Sequence, residues 1–230
     1  MFDATEQINA VQRTVGSRTL EAGEARVTTI SQTYQTTAED LWDACTSAER
    51  IPRWFLPVSG DLRLHGTYEL QGNAHGTVQS CEPPHRFTAT WEMGDEVSWI
   101  EVRVTPVGDE RARLDLDHIA HVDQDRWAQF GPGAVGVGWD LGLLGLASHL
   151  AGDGSGITPE QGAEWTASDE GRRAMELSSH LWVRRASPPA PTPTRRRPPP
   201  NAPPPSTPAP GSLSTTAAQG GGGQPGQRSE

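Results

Sequence analysis

The stretch FGPGAVGVGWDLGLLGLASHL, residues 130–150, decides the fold of this chain. Its apolar content is that of a long buried helix, yet it carries six glycines. Each glycine inside a helix costs about 1 kcal/mol relative to alanine, so six of them need a structural or functional reason. Gly131, Gly138, Gly142 and Gly145 are spaced by seven, four and three residues, and they therefore form one stripe of the predicted helix.

Two interpretations of this glycine stripe carry equal weight. Glycines on the inward face of a helix can let the backbone approach neighbouring strands closely, or they can leave unfilled volume beneath the helix. Both can hold at different levels of one helix. The stretch is also nearly long enough to span a membrane, but Asp140, His149, the glycines and the lack of flanking basic residues argue against a span.

The sixty residues before the long helix have the pattern of an antiparallel sheet. Short runs of alternating apolar and polar side chains are separated by turn residues, which is typical of strands joined by hairpins. The predicted strands are DLRLHG (61–66), TYELQG (67–72), HGTVQSCE (75–82), HRFTATWE (85–92), VSWIEVRVTP (97–106) and RARLDLDHIA (111–120). The order predicts an α+β domain in which one face of the sheet meets the helix.

The two-residue period of a strand predicts which side chains face that helix. The inward set is Phe87, Ala89, Trp91, Ile100, Val102, Val104, Ala112, Leu114, Leu116 and His118. The outward set is Trp99, Glu101, Arg103, Arg111, Arg113, Asp115 and Asp117. His118 is therefore a polar residue at the end of an otherwise apolar face.

The flanking segments predict further elements. Residues 5–15 could form a short amphipathic helix, and residues 25–35 alternate as a strand does. Thr37 is a predicted helix cap, and Thr158 with Gln161 predicts a capping box for one of two helices after the long one. We expect residues 1–17 to be an N-terminal extension, residues 18–186 to form the domain with its extra C-terminal helices, and residues 187–230 to be a disordered tail.

The tail prediction follows from composition. Residues 187–230 hold 13 of the 20 prolines, six glycines and no aromatic residue, so they cannot bury enough apolar surface to offset the entropy of ordering. Residues 1–186 carry 15 Arg against 28 acidic residues, which argues against nucleic acid or an anionic membrane as a partner. With two cysteines and no signal segment, the chain is predicted to be cytoplasmic.

Several of these segments together resemble a known family. The runs AEDLWDACTSAERIPRWF, CEPPHRFTATWE and GPGAVGVGWDLGLLGL are similar to stand-alone bacterial domains related to the C-terminal domain of activators of the heat-shock protein 90 ATPase. These domains belong to the SRPBCC, or START-like, superfamily. The resemblance covers roughly residues 18–183 and implies a helix-grip (START-like or Bet v-like) fold, in which a curved antiparallel sheet wraps around a long C-terminal helix and encloses an apolar cavity.

Three departures from the family pattern stand out. The separate N-terminal domain of the eukaryotic activators has no counterpart here, which weakens the expectation of a chaperone partner. A glycine pair that often follows the DLR strand is His65 and Gly66 in this chain. Relatives usually continue past the motif that ends at Trp182 with an Ala-rich helix, whereas this chain becomes rich in proline and arginine.

The candidate site is the cavity that the resemblance implies. Aromatic residues on the inward faces, a polar residue and the glycine stripe would line it: Trp54, Phe55, Tyr68, Phe87, Trp91, His118, Gly138, Trp139 and Gly142. For each aromatic residue taken alone, simple core packing is the more common role, and for His118 so is a hydrogen bond to backbone. His118, His121, Asp123 and Asp125 lack a recognised ligand spacing, so neither a metal nor a cofactor is predicted.

The favoured function is therefore binding of a small apolar or aromatic molecule, with His118 as its polar contact. An enzyme of the cyclase, aromatase or hydratase type in the same cavity is the first alternative, with His118 as general acid or base. An accessory factor that stimulates a chaperone ATPase is the second. The sequence assigns no catalytic residue, and it favours a binding module over an enzyme.

Overall fold

A computed structural model describes residues 3–152 and 158–186 of the chain. The six helices of this part are α1 (Ala4–Ala10), α2 (Ala38–Thr46), α3 (Gln124–Phe130), α4 (Gly133–Ala151), α5 (Pro159–Ala167) and α6 (Asp169–Ala186), and a 3-10 turn covers Ile51–Arg53. The eight strands are β1 (Gln12–Leu20), β2 (Gly23–Tyr34), β3 (Val58–Gly60), β4 (Thr67–Leu70), β5 (His75–Glu82), β6 (Arg86–Met93), β7 (Glu96–Pro106) and β8 (Ala112–Ala120).

All eight strands form one antiparallel sheet, which confirms the predicted α+β class and the helix-grip fold. The spatial order is β1-β2-β8-β7-β6-β5-β4-β3, so consecutive strands are neighbours except where β2 pairs with β8. The connection from β2 to β3 contains α2 and the 3-10 turn, and α4 follows the last strand. The curved sheet therefore has β1 and β3 at its two edges, with the last strand β8 in its interior, and wraps one face around α4.

The strand register confirms the predicted inward face. Ile100 lies opposite His118, and Val102 lies opposite Leu116, so apolar side chains stack across the centre of the sheet. The inward residues Ile100, Val102, Val104, Ala112, Leu114 and Leu116 are all at most 6% exposed. On the other face, Asp117 accepts a hydrogen bond from Arg103 at 3.0 Å, as expected for the outward set.

Helix α4 is a buried core helix. It is long and apolar enough to cross a membrane by length and composition alone, and half of its apolar window is buried inside the protein. Gly131, with φ of +55°, ends α3, and Pro132 precedes the first turn of α4. Burial against β2 on one side and α6 on another accounts for its largely apolar sequence.

Three local predictions are wrong. Residues 61–66 form a turn and not a strand, because His65 adopts a φ of +66° and the paired strand lies earlier, at Val58–Gly60. Residues 124–130 form the unpredicted helix α3, which the side chain of Asp123 caps. The long helix consequently starts after Gly131, so this glycine does not belong to the predicted stripe.

The N-terminal segment joins the sheet. The predicted helix over residues 5–15 is right only up to Ala10, because Gln12–Leu20 form strand β1 and pair with β2. Strand β1 crosses the expected boundary between residues 17 and 18. At the other end, the predicted capping box of Thr158 and Gln161 is confirmed at the start of α5. The predicted tail, residues 187–230, lies outside the described residues.

A buried ion pair connects α4 to the two ends of the domain. Asp140 and Arg13 are 1% and 4% exposed, and the Arg13 Nε and Nη2 atoms lie 3.0 and 2.9 Å from the two carboxylate oxygens. Ser178 and Trp182 of α6 also donate to Asp140, the indole nitrogen at 3.0 Å. Arg13 donates further to two backbone carbonyl oxygens at the end of α1. One carboxylate thus connects α1, β1, α4 and α6.

Replacing Asp140 should strongly destabilise the domain. Asp140→Ala leaves the buried guanidinium of Arg13 without its counter-charge, and loss of one partner of a buried pair costs about 3–5 kcal/mol. We expect urea denaturation to show a decrease of this size in the free energy of unfolding. Asp169→Ala is the matched control, since it removes an aspartate from the exposed pair with Arg172, and it should cost less than about 1 kcal/mol. Similar losses in the two variants would contradict the role of Asp140.

Candidate functional site

The concave face of the sheet encloses a cavity of about 490 Å³. Its walls come from α2, the 3-10 turn, the inward faces of β4 to β8, and α4. Apolar side chains such as Leu70, Val78, Leu116 and Leu143 form much of the surface. The volume lies within the range of about 300–1,000 Å³ that small-molecule sites occupy.

Six of the predicted site residues line this cavity together. They are Trp54, Phe55, Tyr68, Phe87, Trp91 and Trp139. The ring of Phe55 stacks on Trp139 with centroids 6.0 Å apart and an interplanar angle of 13°, and Trp91 meets Trp139 at 4.9 Å. The aromatic residues therefore form a continuous wall that joins the turn after α2, the helix α4 and strand β6.

Hydrogen bonds hold two of these rings in place. Trp54 Nε1 donates to the carbonyl oxygen of Ala44 at 2.9 Å, and the Tyr68 hydroxyl donates to the carbonyl oxygen of Thr90 at 2.6 Å. Burial raises the pKa of Tyr68, so its hydroxyl stays protonated at neutral pH. The polar ends of both side chains are used to fix the wall, which leaves their apolar faces for the cavity.

His118 does not line the cavity, in contrast to its predicted role as the polar contact. Trp139 Nε1 lies 3.0 Å from His118 Nδ1, and an indole nitrogen can only donate. The proton of the neutral imidazole is therefore on Nε2, which donates to Ser98 Oγ at 3.0 Å. Ser98 in turn donates to the carbonyl oxygen of Trp91. His118 therefore links Trp139, through Ser98, to the backbone of Trp91, and it has no ring nitrogen left for a ligand.

The glycines of α4 differ in what lies against them, and none of them is among the cavity-lining residues. A Cβ on Gly145 would lie 2.2 Å from the carbonyl oxygen of Trp54, and one on Gly136 would lie 2.3 Å from the Trp182 ring, so both are close-packing positions. Gly142 is buried and faces the ring of Phe55, where a Cβ would lie 3.3 Å from Cε2. Gly138 is exposed with open space around it, so its predicted place in the site is wrong.

Several further cavity residues were missed by sequence reasoning, and four of them are a tryptophan, two cysteines and an arginine. Trp42 lines the cavity and meets Phe87 edge to face at 6.0 Å, and Cys45, Cys81 and Arg63 also line it. The helical spacing of Trp42 and Cys45 with Leu41 indicated burial, but no motif indicated a cavity. Burial raises the pKa of the Cys45 thiol to about 12 and also raises that of Cys81, so both thiols are protonated at neutral pH.

The pH dependence of stability should report on His118. Burial lowers its pKa from 6.5 to about 4, so the folded state binds a proton less readily than the unfolded chain. Above pH 6.5 the histidine is neutral in both the folded and the unfolded state, so it does not lower stability. As the pH falls from 6.5 towards 4, the unfolded chain is protonated first, and the free energy of unfolding falls by about 3 kcal/mol in total. We expect the free energy of unfolding of wild type to fall more steeply over this range than that of His118→Gln, whose amide cannot titrate. Parallel pH profiles would contradict the assignment.

Gly142→Ala tests whether this glycine borders the cavity. The added methyl group removes a helix penalty of up to about 1 kcal/mol, and Phe55 can yield because its ring borders empty volume. We expect a higher melting temperature together with weaker binding of a cavity probe. Gly138→Ala is the control: it should stabilise the helix and leave binding unchanged. Destabilisation of Gly142→Ala with intact probe binding would place the glycine in a rigid packing contact.

Comparison with known proteins supports the same fold. The family model described as Activator of Hsp90 ATPase homolog 1-like protein matches residues 35–151, which include α2, the cavity-lining strands and α4. No curated protein matches the chain. Among solved structures, EF2215 of Enterococcus faecalis is 11% identical with a TM-score of 0.50, covering 75% of this chain and 92% of that chain, and supports the fold alone.

CalU16 from Micromonospora echinospora is similar over almost its whole length. Its crystal structure is 33% identical with a TM-score of 0.62, covering 77% of this chain and 98% of that chain. Its solution NMR structure gives 36% identity and a TM-score of 0.65, covering 76% and 94%. On the family match and this relative, the chain belongs to the Activator of Hsp90 ATPase homolog 1-like family, within the SRPBCC superfamily.

Proposed function

We propose that the protein is a cytoplasmic binding module that holds a small apolar or aromatic molecule in the cavity beneath α4. The observation that carries the proposal is the aromatic wall: seven of the cavity-lining side chains are aromatic, and they surround about 490 Å³ of unfilled volume. Cores normally pack to crystal-like density, so an unfilled volume of this size needs a reason. A bound molecule would restore those contacts.

Four residues of the wall are proposed as the main ligand contacts. Trp54, Phe55, Trp91 and Trp139 present ring faces on adjoining elements, which suits stacking against a flat molecule. Tyr68 on β4 and Phe87 on β6 also line the cavity. Membership in an SRPBCC family supports small-ligand binding as the general role, and the unpaired state of Cys45 and Cys81 is in keeping with a reducing compartment.

The geometry does not favour His118 as a catalytic acid or base. Both ring nitrogens are bonded within the protein, and its low pKa keeps the imidazole neutral at physiological pH. Among the described residues, neither a carboxylate nor a histidine side chain lines the cavity. Stimulation of a chaperone ATPase, which the family description names, stays a prediction that no contact described here addresses.

Filling the cavity with a larger side chain should strongly weaken the binding of a small apolar molecule. Ala89 lies on the cavity floor and is 1% exposed, so Ala89→Phe should place a ring in the volume that a ligand would occupy. Titration with the uncharged fluorescent probe N-phenyl-1-naphthylamine should show saturable binding to wild type and at least about tenfold weaker binding to Ala89→Phe.

Thr88→Phe provides the matched control for this experiment. It introduces the same phenylalanine side chain at the neighbouring position of β6, and Thr88 does not line the cavity. We expect its affinity for the probe to equal that of wild type. Equal affinities for wild type and Ala89→Phe, with both proteins folded by circular dichroism, would contradict the proposed site.

A further inference from the structure

A short loop places a positive charge at the edge of the aromatic cavity. The loop comprises residues 61–66, between β3 and β4, and we call it the mouth loop. Leu62, Arg63 and Leu64 of this loop all line the cavity, and Leu64 is 48% exposed although it is apolar. Arg63 is the one charged side chain among the described residues that line the cavity, and it reaches solvent with 87% of its side chain exposed.

Backbone contacts fix the mouth loop in a single shape. Hydrogen bonds of 2.8 Å join the Asp61 amide to the carbonyl of Thr67, the His65 amide to that of Val78, and the Gly66 amide to that of Arg63. Gly66 allows the loop to close on itself, because a Cβ there would lie 2.2 Å from the carbonyl oxygen of Asp61. Arg63 is therefore presented by a well-braced turn and not by a loosely held segment.

The side chain of Arg63 is oriented by its neighbour Asp61. Arg63 Nε and Nη2 each donate to a different carboxylate oxygen of Asp61 at 2.8 Å, a planar two-point contact. Such an exposed pair contributes little stability, so its main consequence is the direction of the guanidinium. Nη1 has no hydrogen bond within residues 3–152 and 158–186, and it is left to bind an acceptor from outside the protein.

Two further cavity-lining residues carry a donor without a partner among the described residues. The indole nitrogens of Trp42 and Trp91 make no hydrogen bond among the described residues, and neither is sealed away from solvent-sized molecules. An indole nitrogen and a guanidinium can only donate. By contrast, the hydroxyls of Tyr68 and Thr46 already donate to backbone carbonyls. At the edge of the cavity, a ligand is therefore offered the free Nη1 group of Arg63, whose guanidinium is paired with Asp61.

We propose that the natural ligand is an aromatic anion: a flat apolar body within the cavity, with a carboxylate or similar acidic oxygen group at the mouth loop against Arg63. This inference rests on the proposed function and adds the chemical class of the ligand. Nη1 of Arg63 can donate to an oxygen of such an acidic group while Nε and Nη2 stay bonded to Asp61. The net charge of −10 opposes an anion at long range, where salt at physiological strength screens charges beyond about 8 Å, and the carboxylate of Asp61 opposes it locally.

Two probes with the same aromatic skeleton test this inference. 8-Anilinonaphthalene-1-sulfonate carries an acidic group, and N-phenyl-1-naphthylamine is its uncharged analogue. In Arg63→Gln, we expect the affinity for the sulfonate to fall by about five- to tenfold and that for the uncharged probe to change by less than about twofold. Added salt should weaken sulfonate binding to wild type more than to Arg63→Gln.

Arg172→Gln is the matched control, because it removes the same charge from another exposed arginine–aspartate pair, on α6 and outside the cavity lining. It should leave both affinities unchanged. Equal losses of sulfonate affinity in the two variants, or none in Arg63→Gln, would overturn the inference while leaving the cavity as a binding site. Failure of both probes to bind wild type would overturn the proposed function as well.

Discussion

The position of α4 depends on two glycines that let other groups touch its backbone. The carbonyl oxygen of Trp54 lies against Gly145, and the ring of Trp182 lies against Gly136. The two glycines are nine residues apart, which is about two and a half helical turns, so these contacts lie on opposite sides of α4. The helix is therefore held between the turn after α2 and the C-terminal helix α6. The buried pair of Asp140 and Arg13 fixes its orientation, and the volume left beside the aromatic rings is the cavity.

The sequence predicted the sheet, its inward face and six of the aromatic wall residues, because the two-residue period and the aromatic character of strands are local signals. It could not place the glycines. Gly138 and Gly145 lie on the same side of α4, but Gly138 is exposed, whereas the segment around Trp54 covers Gly145. The path of that segment decides which glycine is covered. The positive φ of His65 likewise turned a predicted strand into the mouth loop.

The role of His118 in the folded protein differs from the role that its strand position predicted. Its inward direction was predictable from strand register, but its two hydrogen bonds involve Trp139 of α4 and Ser98 of β7, which are brought together only in the folded state. It therefore positions Trp139 and, through Ser98, the backbone of Trp91, and it does not line the cavity. Among the cavity-lining residues, Trp42, Trp91 and Arg63 have donors without a partner in the described part of the chain, which favours recognition of an acceptor over proton transfer.

The central claim is that the cavity beneath α4 is occupied by a small molecule in the cell. Native mass spectrometry of the protein purified from its own host tests it most directly. We expect a species heavier than the polypeptide by the mass of one small molecule. This molecule should be released when the protein is denatured, and the heavier species should be absent from Ala89→Phe. Detection of the bare polypeptide mass alone, or of the same adduct on Ala89→Phe, would contradict the account.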